Sequence, residues 1–369
     1  MSSLNRSEYL NPVHTQNWVN GRHLVRCCKL IRETHDVLTF CFSMQEPVLF
    51  FFKPGQFVTL ELEIDGVQQM RSYTISSAPS IPYSFSITVK RVPGGVVSNW
   101  LHDNVAEGML IAVHGPAGQF NCIDYPARKV LLLSGGVGIT PLMSMARWFF
   151  NTNAEVDMAF VHSARTPADI IYRAELDYMS TRISNFHLHL ICEHTPVGLA
   201  WSGYRGYLDH TMLSLIATDV MEREVFCCGP TPYMRAVRQL LQQAGFDMAR
   251  YHEESFGATP QAEASLASEH AASAQADSTV GTATHCISFK DSGKSVQVSA
   301  DVTLHAAAAK AGVKLPKACG MGICGTCRVK VLSGETDMQH NGGITEEEIE
   351  EGYVLSCCTR ARSDLQLDY

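Results

Sequence analysis

The densest chemistry in the chain lies in Cys319-Gly-Met-Gly-Ile-Cys324-Gly-Thr-Cys327, with a further cysteine pair at Cys357 and Cys358. Four thiolates are needed to hold two irons, and the C-x4-C-x2-C spacing followed by a distant cysteine suits a [2Fe–2S] cluster. A compact loop then supplies three ligands and another part of the fold the fourth. Glycines let the backbone wrap tightly, so that amide N–H groups can point at sulfur and tune the potential. Structural zinc usually shows paired C-x2-C knuckles, and only one such knuckle is present. Spacing alone leaves open which of Cys357 and Cys358 is the fourth ligand.

Five runs nearer the start of the chain carry a different chemistry. Arg71-Ser72-Tyr73-Thr74 sets a guanidinium, an aromatic ring and hydroxyls side by side. Arginine pairs with phosphate, and a tyrosine ring packs on a flat heterocycle. Gly94-Gly95-Val96-Val97-Ser98 offers small residues and free amides at a helix start, which suits a pyrophosphate, although alone it reads equally as a glycine turn capped by Ser98. Gly135-Gly136-Val137-Gly138-Ile139-Thr140-Pro141 links an apolar strand to a helix, the arrangement that cradles a dinucleotide pyrophosphate. Cys228-Gly229-Pro230 closes the apolar strand-like run EVFC, and Glu254-Ser255-Phe256-Gly257 sets a carboxyl beside an aromatic ring.

The elements that must position these residues fall into three textures. From about Arg22 to Asn121, FVTLELEI, YSFSITVKR and LIAVHG alternate or run apolar and are broken by Gly and Pro, which predicts a small antiparallel barrel. From Ala127 to Phe256, the strands KVLLLS, VDMAFVHS, FHLHLIC and EVFCCG alternate with helices: one opened by Pro141, and others near Ala174–Met179, Asp209–Ile216 and Pro232–Ala244. That alternation predicts a parallel sheet covered by helices, with ligands at the carboxyl ends of its strands. The stretch from Gly257 to Thr284 is rich in Ala and Ser and has no aromatic residue. It reads as a flexible linker spanning about 30 Å, from about 5–6 Å × √n. Beyond it, HCISFK and KSVQVSA form a hairpin around Asp291–Gly293, Thr303–Ala311 a helix, and CRVKVLSG and DLQLDY two more strands.

Taken together and in this order, R-x-Y-[ST], G-G-x-G-I-T-P, C-G-P and the Glu254–Gly257 run resemble the ferredoxin–NADP+ reductase superfamily. YVLSC resembles the V-L-x-C of plant-type ferredoxins. The order of the parts is similar to that of the reductase components of Rieske-type oxygenases, and runs such as MRSYTISS, SGGVGITP and KACGMGICGTC resemble those serving glycine betaine demethylation. The resemblance implies a multidomain fold: an antiparallel flavin-binding β-barrel over residues 1–123, an α/β parallel-sheet nicotinamide domain over 124–256, the linker over 257–284 and a β-grasp ferredoxin domain over 285–369. It implies FAD, NADH and a [2Fe–2S] cluster as cofactors. Flavin binding falls to Arg71, Ser72, Tyr73, Thr74, Gly95, Val96, Val97, Ser98 and Phe256, and nicotinamide nucleotide binding to Gly135, Gly136, Gly138, Thr140, Pro141, Cys228, Gly229 and Pro230. Thr74, Cys228 and Glu254 stand at the site of hydride transfer. Cys319, Cys324, Cys327 and Cys357 are the implied cluster ligands, with Cys358 a small core residue. A Rieske-type oxygenase is the implied protein partner. The rivals are a reductase feeding a hybrid-cluster protein or diiron oxygenase, and a permanent electron-transfer subunit of a larger complex.

The 369-residue chain accommodates these parts, being too long for a single core. The net charge of −8 argues against a general nucleic-acid binder or a polybasic membrane-surface protein. No signal peptide or spanning apolar run is visible. Thirteen cysteines in such a chain read as thiols or metal ligands in the reducing cytoplasm. No basic cluster follows VDMAFVHS, which favours NADH, while Arg165 keeps NADPH open. Cys192-Glu-His194 lacks the second half of a Rieske motif. His187, His189 and His194 read as structural, as do Cys27 and Cys28 as core thiols. The acidic run Glu346–Glu351 reads as a solvated helix face or a docking surface.

Overall fold

The structure, a computed structural model, describes residues 16–18, 21–44, 48–198, 200–256, 284–315, 322, 327–340, 344 and 346–369. The expected linker therefore lies outside the described residues. The described residues up to Phe256, apart from 117–119, form one compact unit, and the remaining described residues a second.

The first unit opens with a six-stranded antiparallel sheet: β1 (Gly21–Arg32), β2 (Val37–Met44), β3 (Phe57–Ile64), β4 (Val67–Thr74), β5 (Ser84–Lys90) and β6 (Leu110–Ala117), in the order β4-β3-β6-β1-β2-β5. A bridge between Ile75 and Ile87 joins the two outer strands and closes the barrel, as the strand texture predicted. Its interior is filled by Phe40, Phe42, Phe50, Phe85, Leu60 and Ile87, with Phe50 and Phe85 rings 4.9 Å apart. Burying such aromatics supplies much of a small barrel's stability. Helix α1 (Val96–Asn104) crosses the barrel after the Gly94–Gly95 turn.

One expectation fails here. Cys27 is fully buried, but Cys28 is exposed. The β1–β2 register shifts between Cys27 and Lys29, and a bulge of this kind removes one residue from the inside–outside alternation.

The second half of this unit is a wholly parallel sheet of β7 (Lys129–Gly135), β8 (Asp157–Ala164), β9 (Phe186–Cys192), β10 (Tyr204–Arg205), β11 (Glu224–Cys228) and β12 (Tyr251–Glu254), ordered β10-β9-β8-β7-β11-β12. Val130, Leu131, Leu132 and Leu133 are all essentially inaccessible, because helices cover both faces. These are α2 (Ile139–Asn151), α3 (Arg173–Arg182), α4 (His210–Ile216) and α5 (Thr231–Gln243). Helix α2 begins two residues before Pro141. Proline fits there because first-turn amides have no partner within the helix. At the opposite end of the sheet, the buried Arg223 guanidinium donates to Val130 O at 3.1 Å, Asp157 Oδ1 at 2.9 Å and Asp219 Oδ1 at 2.7 Å. One end of the sheet is thus stitched shut and the other left for chemistry.

The second unit pairs β13 (Thr284–Phe289), β14 (Lys294–Ser299), β15 (Arg328–Ser333), β17 (Tyr353–Leu355) and β19 (Leu365–Asp368) in the order β14-β13-β19-β15-β17, with β16 (Thr336–Met338) and β18 (Thr359–Ala361) as a separate ribbon. Helix α6 (Leu304–Lys310), capped by the Thr303 hydroxyl, lays Leu304, Ala307 and Ala308 on the core. A parallel β13–β19 pair inside an otherwise antiparallel sheet, covered by one helix, is the β-grasp arrangement. The short α7 (Glu346–Glu350) precedes β17.

Candidate flavin, nicotinamide and iron–sulfur sites

Three strands of the parallel sheet bring their carboxyl ends together. Cys228 at the end of β11 stands in register with Ser134 of β7 on one side and Glu254 of β12 on the other. Gly138 is there because nothing larger fits: a Cβ at that position would lie 2.4 Å from Cys228 O. The glycine loop is thereby seated directly on the Cys228-Gly229-Pro230 turn. Gly136 serves differently, taking φ +53° with open space around it, a conformation glycine adopts without cost. The starts of the 136–138 turn and of α2 carry no side-chain cap and no acidic residue. Their amides remain for an anionic ligand. The hydroxyls of Ser163 and Tyr233, in the same corner, face each other without a hydrogen bond of good geometry. These features fit a bound dinucleotide. Thr140 turns its hydroxyl back to Val137 O at 3.2 Å, so it shapes the loop.

The barrel contributes the facing wall. Thr74, the last residue of β4, is buried, and its hydroxyl donates to Glu254 Oε2 at 3.4 Å. Burial pushes the Glu254 carboxyl up to about 8, against the pull of that hydrogen bond. Burial, followed by the neighbouring Glu254 charge, lifts the Cys228 thiol well above its ordinary value. Both groups are therefore uncharged near neutrality: a carboxylic acid and a thiol beside Thr74. Tyr73 is half-buried against the barrel core, and Arg71 is half-buried one alternation behind it. The Ser72 hydroxyl is already bonded to Thr59 Oγ1 at 2.8 Å. Helix α1 begins at Gly95 with no side-chain cap and no acidic residue in its first turn. The Ser98 hydroxyl accepts from Val92 N at 3.2 Å. Ser98 thus closes the turn, and the helix start keeps no side-chain cap of its own. Phe256 is exposed just beyond β12. The set fits a flavin with a phosphate tail.

In the second unit, Cys327 and Cys357 are both buried and near enough for their thiols to hydrogen-bond. The Gly322 amide also reaches the Cys357 sulfur. Ser356 N donates to Cys327 O at 3.0 Å, and the buried Ser356 hydroxyl has no partner among the described residues. Two converging thiols, an amide and a spare buried donor fit an iron–sulfur cluster. Cys319 and Cys324 lie outside the described residues. Cys358 is half-buried and donates to Leu355 O at 3.5 Å.

Several polar residues that matter here escaped the sequence reading. Ser144, Arg147 and Asn151 line one face of α2, and Tyr172 precedes α3. The signal was present: polar residues spaced three and four apart in an otherwise apolar helix.

The 2Fe-2S iron-sulfur cluster binding domain family matches residues 288–362, the oxidoreductase FAD-binding domain family residues 26–122, and the oxidoreductase NAD-binding domain family residues 132–239. The chain belongs to the ferredoxin–NADP+ reductase-like flavoprotein oxidoreductases that carry a [2Fe–2S] domain, with FAD, NADH and the cluster as cofactors. It is 64% identical to a glycine betaine monooxygenase reductase subunit of Pseudomonas aeruginosa, over 98% of this chain and all of that one. A stachydrine N-demethylase reductase subunit of Rhizobium meliloti is 44% identical over 93% of this chain and 95% of its own. Among solved structures, phthalate dioxygenase reductase superposes with a TM-score of 0.58 at 24% identity, covering 95% of this chain and 98% of its own. That likeness is one of fold. Among the described residues, no helix is long and apolar enough to cross a membrane.

Proposed function

We propose that the chain takes two electrons from NADH and passes them one at a time to a Rieske-type oxygenase that demethylates glycine betaine. The observation that carries this reading is the 64% identity with a glycine betaine monooxygenase reductase subunit across essentially the whole of both chains. Bound flavin accepts an electron pair and releases it singly, and the cluster carries single electrons onward. The rest is the work of this chain's residues. Amides at the start of α2 hold the dinucleotide phosphates, and the Gly138–Cys228 contact fixes where the nucleotide lies. Arg71 and the α1 amides hold the flavin phosphates. Tyr73 packs on the ring system and Phe256 shields it. The Glu254 carboxyl, protonated near neutrality, keeps a proton beside Thr74. Cys319, Cys324, Cys327 and Cys357 ligate the cluster.

The test is a coupled assay with a purified Rieske oxygenase, NADH and glycine betaine, following formaldehyde. Formaldehyde arising only in the complete mixture, and not with choline or carnitine, is the expected result. A chain that bleaches its flavin with NADH yet yields no formaldehyde keeps the reductase reading and loses the partner. Similarity to the stachydrine N-demethylase reductase subunit favours a second reading, in which the oxygenase acts on stachydrine. Stachydrine belongs in the same assay.

A further inference from the structure

We infer that Arg147 is a positioning residue for hydride transfer, fixing the loop that continues the flavin motif against the helix that begins with the dinucleotide loop. The inference concerns only the NADH-to-flavin step and is independent of the oxygenase.

Residues 76–80 follow Thr74 after a single residue, Ile75. Helix α2 starts at the loop bearing Gly138 and meets that segment along one polar face. Ser144 Oγ donates to Ser77 O at 2.6 Å, Arg147 Nη1 to Ser76 O at 2.5 Å, and Asn151 Nδ2 to Ser80 Oγ at 2.7 Å. The spacings of three and four put all three on one side of the helix. Gly138 and Arg147 are roughly 13 Å apart along that helix, at about 1.5 Å per residue. A rigid rod thus joins the glycine loop to the segment that continues the Arg71–Thr74 run.

Arg147 is the best-held member of this face. Its Nε and Nη2 form a fork on Glu175, at 2.8 and 2.6 Å. Its guanidinium lies 4.6 Å above the Tyr172 ring. The Tyr172 hydroxyl in turn donates to Thr88 Oγ1 of the barrel. Tyr172 holds φ +57°, a left-handed conformation that is strained for a bulky residue. The strain is maintained where barrel and sheet meet. Buried Ser76 extends the network, its hydroxyl within 3.1 Å of Thr88 Oγ1. Thr39 bonds both Thr88 and Glu33, each at 2.7 Å.

A seam of apolar side chains would hold the two halves at least as firmly, because burying a guanidinium carries a desolvation cost. What the polar seam adds is direction. Each bond fixes an angle as well as a contact, and hydride transfer is sensitive to displacements of about 1 Å.

The test uses the purified full-length holoprotein and Arg147→Met and Arg147→Lys variants. Anaerobic flavin bleaching is followed with NADH and, separately, with dithionite. The long-wavelength absorbance of the complex with NAD+ reports ring stacking. Amide exchange of residues 76–80 in the flavin-free protein reports the seam without any cofactor. Arg147→Met is expected to retain flavin, bleach normally with dithionite, bleach about 10- to 100-fold more slowly with NADH, lose the long-wavelength band and exchange faster at 76–80. Arg147→Lys, which keeps a cationic donor on a long side chain, is expected to recover part of the rate and the band. An Arg147→Met protein with wild-type NADH rate and band overturns the inference, as does one whose NADH and dithionite rates fall together with its flavin content. Should Arg147→Met not fold, Ser144→Ala and Arg147→Lys decide in the same way. A wild-type protein that NADH does not bleach refutes the reductase reading itself.

Discussion

Glu254 is a carboxyl where an ionised carboxyl is disfavoured. Its raised value gives its stability contribution a sign. The native state holds the proton more tightly than the unfolded chain, so this contribution is present below the ordinary value of 4.5 and is lost as pH rises through about 8. Glu254→Gln, which imitates the protonated form, should match the wild type in Tm at about pH 5 and exceed it at about pH 9. Equal Tm values across that window would mean the carboxyl is not raised. A second residue-scale prediction separates the adjacent thiols. Cys357 meets Cys327, Cys358 and the Gly322 amide, whereas Cys358 is only half-buried and also donates to the Leu355 carbonyl. Cys357→Ser should lose the visible absorbance and the iron of the cluster, and Cys358→Ser should keep both. Spacing could not order these two cysteines, because neighbours in sequence diverge only once the chain folds.

Secondary elements were legible where pattern and length agreed. The strand FHLHLIC is observed over its full span, and the hairpin around Asp291–Gly293 turns where glycine permits a positive φ. Two features escaped for physical reasons. The bulge that exposes Cys28 depends on how β1 registers against β2, a property of the pair rather than of either strand. The polar face of α2 is diluted in sequence by the apolar residues around it, and its partners are backbone carbonyls that have no letter in the sequence. The glycine loop was recognisable as a motif, but not the reason for Gly138. Gly138→Ala tests that reason: the added methyl group meets the Cys228 carbonyl. It should destabilise by about 1–3 kcal/mol and impair reduction by NADH more than reduction by dithionite, read by thermal unfolding and anaerobic bleaching.

At the scale of the whole molecule, the barrel and the parallel sheet share one compact unit, while the β-grasp sheet has a core of its own. A chain ending at Phe256 should therefore fold, bind flavin and reduce a two-electron dye with NADH, while losing most of its one-electron transfer to cytochrome c. Full cytochrome c reduction by the truncated chain would remove the cluster from the path. The bonded face between α2 and the 76–80 loop also bears on how such chains can be recombined. A crossover that takes its barrel from one relative and its nucleotide sheet from another breaks matched pairs unless Ser144, Arg147 and Asn151 travel with the loop they grip. In this family, a viable chimera is to be sought at a junction beyond Phe256, where the iron–sulfur module can be exchanged as a cassette and the catalytic pair inherited intact.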